Sequence, residues 1–114
     1  MKPPPITQVH PQTLKERFDA GEALVIVDVR ETWEYSLAHI PGSINFPLGE
    51  LADCVMELDA EDEIIVCCHH GARSYEGAQI LIESGFPRVA NLVGGIDLWS
   101  CVVDPSIPRY REGG

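Results

Sequence analysis

No run of apolar residues in the sequence is longer than five, at Ala23 to Val27 and Ile64 to Cys68, whereas a membrane-crossing helix needs about 20. No membrane partner is expected. Basic residues are scarce too: eight Lys and Arg stand against eighteen Asp and Glu, a net charge of −10. That is the wrong sign for a phosphate backbone or an anionic membrane surface, so no nucleic-acid partner is expected either. Met1-Lys2-Pro3-Pro4-Pro5 leads into no apolar segment, so no secretory signal is expected and the protein is placed in the cytoplasm. In that reducing compartment the four cysteines are free thiols rather than two disulfides. Internal repeats and low-complexity tracts are missing as well. What is present is a 114-residue chain with 45% apolar residues. That length suits a single domain, residues 1–114 with a core over about 6–110, able to bury a core without metal or disulfide staples.

Short β-branched runs alternate with segments of helical period, which argues for crossover units and a parallel α/β sheet. Helices are expected over Leu14 to Ala20, Thr32 to Leu37, Leu48 to Leu58, Ser74 to Ser84 and Ile96 to Val102. The helix from Ser74 is expected to bury Ala78, Ile80, Leu81 and Ile82. Strands are expected at Leu24 to Val27, Ser43 to Phe46, Ile64 to Cys68 and Val89 to Val93, the central ones apolar on both faces. Asp59-Ala60-Glu61-Asp62 reads as a solvated connection, and the Pro-rich Asp104 to Arg109 as an extended tail.

Open parallel sheets bind ligands beyond the carboxyl ends of their strands, where helix amino termini converge. Cys68 sits at such an end, ahead of His69-His70-Gly71-Ala72-Arg73-Ser74. A lone cysteine there is commonly just a small buried hydrophobe; the Cys-x-x-Gly-x-Arg-Ser context points instead to a nucleophile. Backbone N–H groups and the positive end of a helix dipole favour a thiolate, and such settings lower cysteine pKa values from about 8.5 to roughly 3.5–7.5. Gly71 allows a tight turn around the sulfur, and Arg73 offers a forked cation for an anionic substrate. Because side chains alternate along a strand, Cys67 should face the opposite side from Cys68 and belong to the core. Cys54 and Cys101 are read as packing residues on helix faces.

Cys67-Cys68-His69-His70 holds zinc ligand types, yet no second pair at zinc-site spacing exists, so no metal is expected. His69 and His70 are either loop residues that titrate near neutrality and bias the field at the cysteine, or solvated bystanders.

Three stretches, in order, resemble a single-domain rhodanese, the sulfurtransferase family: Asp28-Val29-Arg30-Glu31 with Glu34-Tyr35 and His39-Ile40-Pro41-Gly42-Ser43-Ile44-Asn45; Ile65 to Ser74; and Gly94-Gly95-Ile96-Asp97-Leu98-Trp99. The resemblance implies a five-stranded, mostly parallel sheet flanked by helices on both faces. It implies that Cys68 carries a sulfane sulfur as a persulfide, with His69, His70, Gly71, Ala72, Arg73 and Ser74 as the substrate cradle. Asp28 and Arg30 would be an ion pair supporting the site, His39 would satisfy buried hydrogen bonds, and Trp99 would be core. Ala38 departs from the Gly that often precedes His-Ile-Pro in the family. The implied reaction moves sulfur from a small sulfur-containing anion such as thiosulfate to cyanide, a thiol acceptor or a protein acceptor, with no cofactor.

Two alternatives accompany that reading. Phosphatases and arsenate reductases of related fold use a longer Cys-x5-Arg loop, whereas Cys68 to Arg73 is Cys-x4-Arg. The other alternative is a relay or binding module that docks on a partner.

Overall fold

The computed structural model describes residues 6–111; the amino-terminal residues read for a secretory signal lie outside the described residues. Five strands pair in one parallel sheet: β1 (Thr7–Val9), β2 (Leu24–Asp28), β3 (Ile44–Asn45), β4 (Glu63–Cys67) and β5 (Val89–Leu92), in the order β1-β5-β4-β2-β3. The helices are α1 (Pro11–Asp19), α2 (Thr32–Leu37), α3 (Leu51–Cys54), α4 (Ala72–Glu83) and α5 (Gly95–Val102). No described helix is long and apolar enough to cross a membrane.

The sheet separates two apolar clusters, and β4 feeds both. Ile65 and Cys67 join Leu14 of α1, Ile26, Leu92 and Trp99 of α5 on one face. Ile64, Val66 and Cys68 join Val27, Leu51 of α3, Ala78 and Leu81 of α4 on the other. The period-2 alternation expected across Cys67 and Cys68 is therefore what the chain adopts. Trp99 is buried, as expected.

Several expectations need correction. The three-residue β1 escaped the sequence reading, because so short an edge strand carries no periodicity to count. Its neighbour α1 begins three residues earlier than expected, since Pro11 suits the first helical position and His10 Nδ1 accepts the Gln12 N–H at 3.1 Å. The single helix expected over Leu48 to Leu58 is three pieces, α3 between 3-10 turns at Leu48–Glu50 and Val55–Glu57. Glu50, Asp53 and Glu57 would stack like charges three and four residues apart in a continuous helix, which disfavours one. On α4 the buried stripe is Ser74, Gly77, Ala78 and Leu81, while Ile80 and Ile82 are half-buried.

Two side chains expected inside are outside. His39 is exposed, stacked on the Tyr35 ring at 4.0 Å with Nδ1 2.9 Å from the Tyr35 carbonyl, so it satisfies a surface bond rather than a buried one. Cys101 is also exposed and does not pack. The tail is not extended from Asp104: Asp104 Oδ1 accepts the Ser106 N–H at 3.1 Å, and the resulting turn sends Ile107 into the core. There Ser100 Oγ donates to the Ile107 carbonyl at 2.6 Å. That turn brings Arg109 and Tyr110 back across the carboxyl ends of the strands.

Candidate active site

β4 ends at Cys67, one residue earlier than expected, because the Cys68 carbonyl leaves the ladder to accept the Ile96 N–H of α5 at 2.8 Å. The next carbonyl, of His69, takes the Asp97 N–H at 3.1 Å. Two orphan donors of the α5 amino terminus thus hold the start of the loop from below. The approach leaves no room for a side chain, since a Cβ on Gly95 would lie 2.3 Å from the Cys68 oxygen and 2.5 Å from that of His69. The Gly94-Gly95 turn read from the sequence is therefore also the floor of this loop.

Above that floor the chain reverses at Gly71, whose φ of +114° an L side chain would strain. The reversal aims the Gly71 N–H at Cys68 Sγ, 3.0 Å away, immediately before α4 begins. Cys68 Sγ also lies 3.3 Å from Ser74 Oγ, one turn into the helix. Of the sequence-derived cradle, Gly71 and Ser74 bond the sulfur through an N–H and a hydroxyl. Ala72 is exposed on the first turn of α4, and Cys68 itself is buried.

Arg73 turns toward α2. Its Nη1 and Nη2 meet the two carboxylate oxygens of Glu34 at 2.6 and 2.9 Å, a bidentate pair. Burial alone would raise the Glu34 pKa, but hydrogen bonds from Arg73, Tyr110 and the Glu31 backbone overcome it and hold the carboxyl at about 2. Tyr110 Oη donates to Glu34 Oε2 at 2.8 Å and accepts from Arg30 Nη1 at 2.7 Å. Arg30, fully buried, closes on both oxygens of Asp28, with Nη2 2.6 Å from Oδ2 and Nε 2.9 Å from Oδ1. Its Nη2 also donates to the Ala38 carbonyl at 2.6 Å. The expected Asp28–Arg30 ion pair is present, and it belongs to a hydrogen-bonded chain running Asp28–Arg30–Tyr110–Glu34–Arg73 into the loop.

His69 is buried with its ring stacked on Tyr110 at 4.2 Å, while His70 is exposed and 4.0 Å from the His69 ring. Both line a depression of about 600 Å³ together with Asp97, Arg109, Tyr110 and Arg111. His69, His70 and Asp97 offer ligand-type atoms within 4.8 Å of one another. Asp97 already has a partner, however: Arg109 donates to its two oxygens at 2.9 and 3.1 Å, which holds the carboxyl below its ordinary range. His70 Nε2 lies 3.5 Å from Oδ2 of the same carboxylate, at the mouth of the depression.

Sequence reasoning missed Glu34 as the partner of Arg73, although Glu34-Tyr35 lies inside a recognised motif. It also missed Tyr110 and Asn91. Buried Asn91, in the middle of β5, accepts from Ser74 through Oδ1 and donates through Nδ2 to the Gly71 carbonyl at 3.3 Å. An amide in an otherwise apolar strand was the available signal. Tyr110 gave none, because its role depends on the turn at Asp104.

Comparison with known proteins bears on the family and the fold. The family model described as the rhodanese-like domain matches residues 10–101. YrkF of Bacillus subtilis, named a sulfur carrier protein, is 41% identical over 95 residues, covering 83% of this chain and 51% of that one. The thiosulfate sulfurtransferase GlpE of Pseudoalteromonas translucida is 34% identical over 88 residues, covering 77% of this chain and 84% of its own. Among solved structures, a rhodanese-related protein of Thermoplasma volcanium superposes with a TM-score of 0.78 at 28% identity, over 91% of this chain and 99% of that one. The chain spans about half or less of the length of the first curated relatives it matches.

Proposed function

The chain belongs to the rhodanese-like domain family, and from that premise we propose that it is a sulfurtransferase in which Cys68 carries the transferred sulfur as a persulfide. The observation that carries the reading is the Gly71 N–H on Cys68 Sγ at 3.0 Å, at the amino end of α4. Once the thiol proton has passed to water, the Cys68 thiolate attacks the outer sulfur of a donor such as thiosulfate. The donor's S–S bond breaks, sulfite departs with the bonding pair, and a new S–S bond forms on Cys68. The first N–H groups of α4 have no partner within the helix, so they can hold the negative terminal sulfur much as an oxyanion hole holds oxygen. A thiophilic acceptor, cyanide or a thiol, then takes that sulfur and returns the thiolate.

Within this reading Arg73 acts first as a clamp. Its bidentate bond to Glu34 ties the amino terminus of α4 to α2 and so fixes where the loop N–H groups point. Asp28 and Arg30 support that clamp through Tyr110. The Cys-x4-Arg loop is one residue shorter than that of related phosphatases, which disfavours phosphoryl transfer. A relay, in which the acceptor is another protein, is a second reading; it is favoured by the likeness to a relative named a sulfur carrier.

The deciding experiment is intact mass spectrometry before and after exposure to thiosulfate and to an organic persulfide, with peptide mapping. One extra sulfur on Cys68, removed by cyanide or a thiol, is expected, and initial rates over a grid of donor and acceptor should give parallel lines. Sulfur mapped elsewhere, or no gain of mass from either donor, would overturn the proposal. Turnover of an aryl phosphate at a comparable rate would favour the phosphatase reading.

A further inference from the structure

Ser74 is fully buried with its hydroxyl between two partners, Cys68 Sγ at 3.3 Å and Asn91 Oδ1. A hydroxyl has a single proton, so it can donate to only one of them. The orientation of the Asn91 amide decides which. Its Nδ2 faces the carbonyl of Gly71 at 3.3 Å, and a carbonyl can only accept. The same nitrogen reaches Gln8 Oε1 of β1 at 3.1 Å. With Nδ2 so engaged, Oδ1 must face Ser74, and the Ser74 proton is committed to Asn91. The lone pairs of Ser74 are left facing Cys68, so the hydrogen bond between them runs from the S–H to the serine oxygen.

We propose that Asn91 is a positioning residue that makes Ser74 an acceptor toward Cys68 and so holds the resting nucleophile as a hydrogen-bonded thiol. The inference rests on the reading of Cys68 as the nucleophile. A serine at this place could instead donate to the thiolate and stabilise it. Here the Gly71 N–H is the donor to the sulfur, and Ser74 opposes ionisation until its proton leaves Asn91.

The test is the pH dependence of Cys68 alkylation by iodoacetamide, read by peptide mapping so that the other cysteines do not interfere. It is measured in the wild type, Ser74→Ala, Asn91→Ala and the double variant. The charged groups around the loop are the same in all four: Arg73 with Glu34, Arg30 with Asp28, and Asp97 with Arg109. His69 and His70, Tyr110 stacked on His69, and the Cys67 thiol behind the loop are likewise untouched. Asn91→Ala also frees the Gly71 carbonyl, so the part of its shift that vanishes in the Ser74→Ala background is what reports the Ser74–Asn91 pair.

Ser74→Ala removes the acceptor of the thiol proton and should move the midpoint down, with alkylation well below it about threefold faster or more, because the thiolate is the reacting form. Asn91→Ala releases the Ser74 proton to the sulfur and should move it the same way, with no added effect in the Ser74→Ala background. A midpoint that rises or stays put in Ser74→Ala would overturn the proposal, as would an Asn91→Ala shift that persists undiminished without Ser74. Should Asn91→Ala fail to fold, the sign of the Ser74→Ala shift decides alone. Alkylation needs no sulfur donor: the expected shifts in a protein that never gains sulfur would sink the sulfurtransferase reading and leave the proton assignment standing.

Discussion

Cys67 and Cys68 are consecutive residues of the same chemistry, and the sheet puts them in different worlds. Cys67 ends β4 inside the cluster of α1 and α5, fully buried, its Sγ only 3.5 Å from the neighbouring Cys68 carbonyl. Burial drives its pKa well above the ordinary thiol range, with the Asp28 carboxylate adding to the effect. Cys68 is as deeply buried, yet it has left the strand, faces the other cluster, and meets a backbone N–H and a hydroxyl. Burial thus does not separate the two thiols; the Gly71 N–H and the Ser74 hydroxyl, brought up by a turn of one residue, mark out the candidate nucleophile.

The sharpest way to break that comparison is to remove each sulfur in turn. Cys68→Ser should abolish persulfide formation and turnover, because a serine hydroxyl cannot form the S–S bond. Cys67→Ser should keep turnover while losing about 1–3 kcal/mol of stability if the new hydroxyl finds no partner in its apolar surroundings. Activity assays paired with urea unfolding check both. Loss of sulfur loading in Cys67→Ser at full folding would mean that the two faces are not independent.

The difference between the two cysteines extends to the groups that frame them. Arg30, fully buried on Asp28, anchors the hydrogen-bonded chain that reaches the loop through Tyr110 and Glu34. Truncating one partner of a buried ion pair commonly costs about 3–5 kcal/mol, so Asp28→Ala should unfold far more easily than wild type. Glu34→Gln is expected to act at the loop: it weakens the clamp on Arg73, so sulfur loading slows with a smaller loss of stability. Arg73→Ala should show the same slowing. If Arg73→Ala raised the Michaelis constant for thiosulfate while Glu34→Gln left loading intact, Arg73 would be a donor ligand and not a clamp.

How much of this was legible in the sequence follows from the range of the interactions. The face assignment of Cys67 and Cys68 rests on a period of two over five consecutive residues, and local chain geometry carries it. The helix at Thr32–Leu37 stands where expected for the same reason. The partner of Arg73 was illegible, because Glu34 is 39 residues away and the pairing depends on β2 lying beside β4. Tyr110 reaches Glu34 across 76 residues, through a turn that the Pro-rich tail concealed. His39 was misplaced because a motif match says nothing about which side of a loop faces water.

Acid should find the clamp before it finds either cysteine. Glu34 has a folded pKa of about 2, below the roughly 4.3 of an unfolded glutamate. Its contribution to stability is complete above the unfolded value and is lost as pH falls from about 4.3 toward 2. Urea midpoints taken across that window should decline in the wild type and decline less in Glu34→Gln. An equal decline in both would remove Glu34 from the acid-sensitive set.

The smallest effect concerns the buried thiol, and it has the opposite sign. Cys67 is raised in the fold, so its contribution is complete below the unfolded value of about 8.5 and is lost as pH climbs toward the folded value, because the unfolded chain can ionise the thiol and the folded one resists. The loss is at most about 1.4 kcal/mol for each pH unit above that point. Cys67→Val replaces the thiol with an apolar side chain in an apolar cluster and should cost less than about 1.5 kcal/mol at neutral pH. It should also flatten the alkaline limb of the stability profile, because the thiol whose ionisation the fold resists is then gone. An alkaline limb that survives in Cys67→Val and vanishes in Cys68→Ala would reverse the contrast between the two residues.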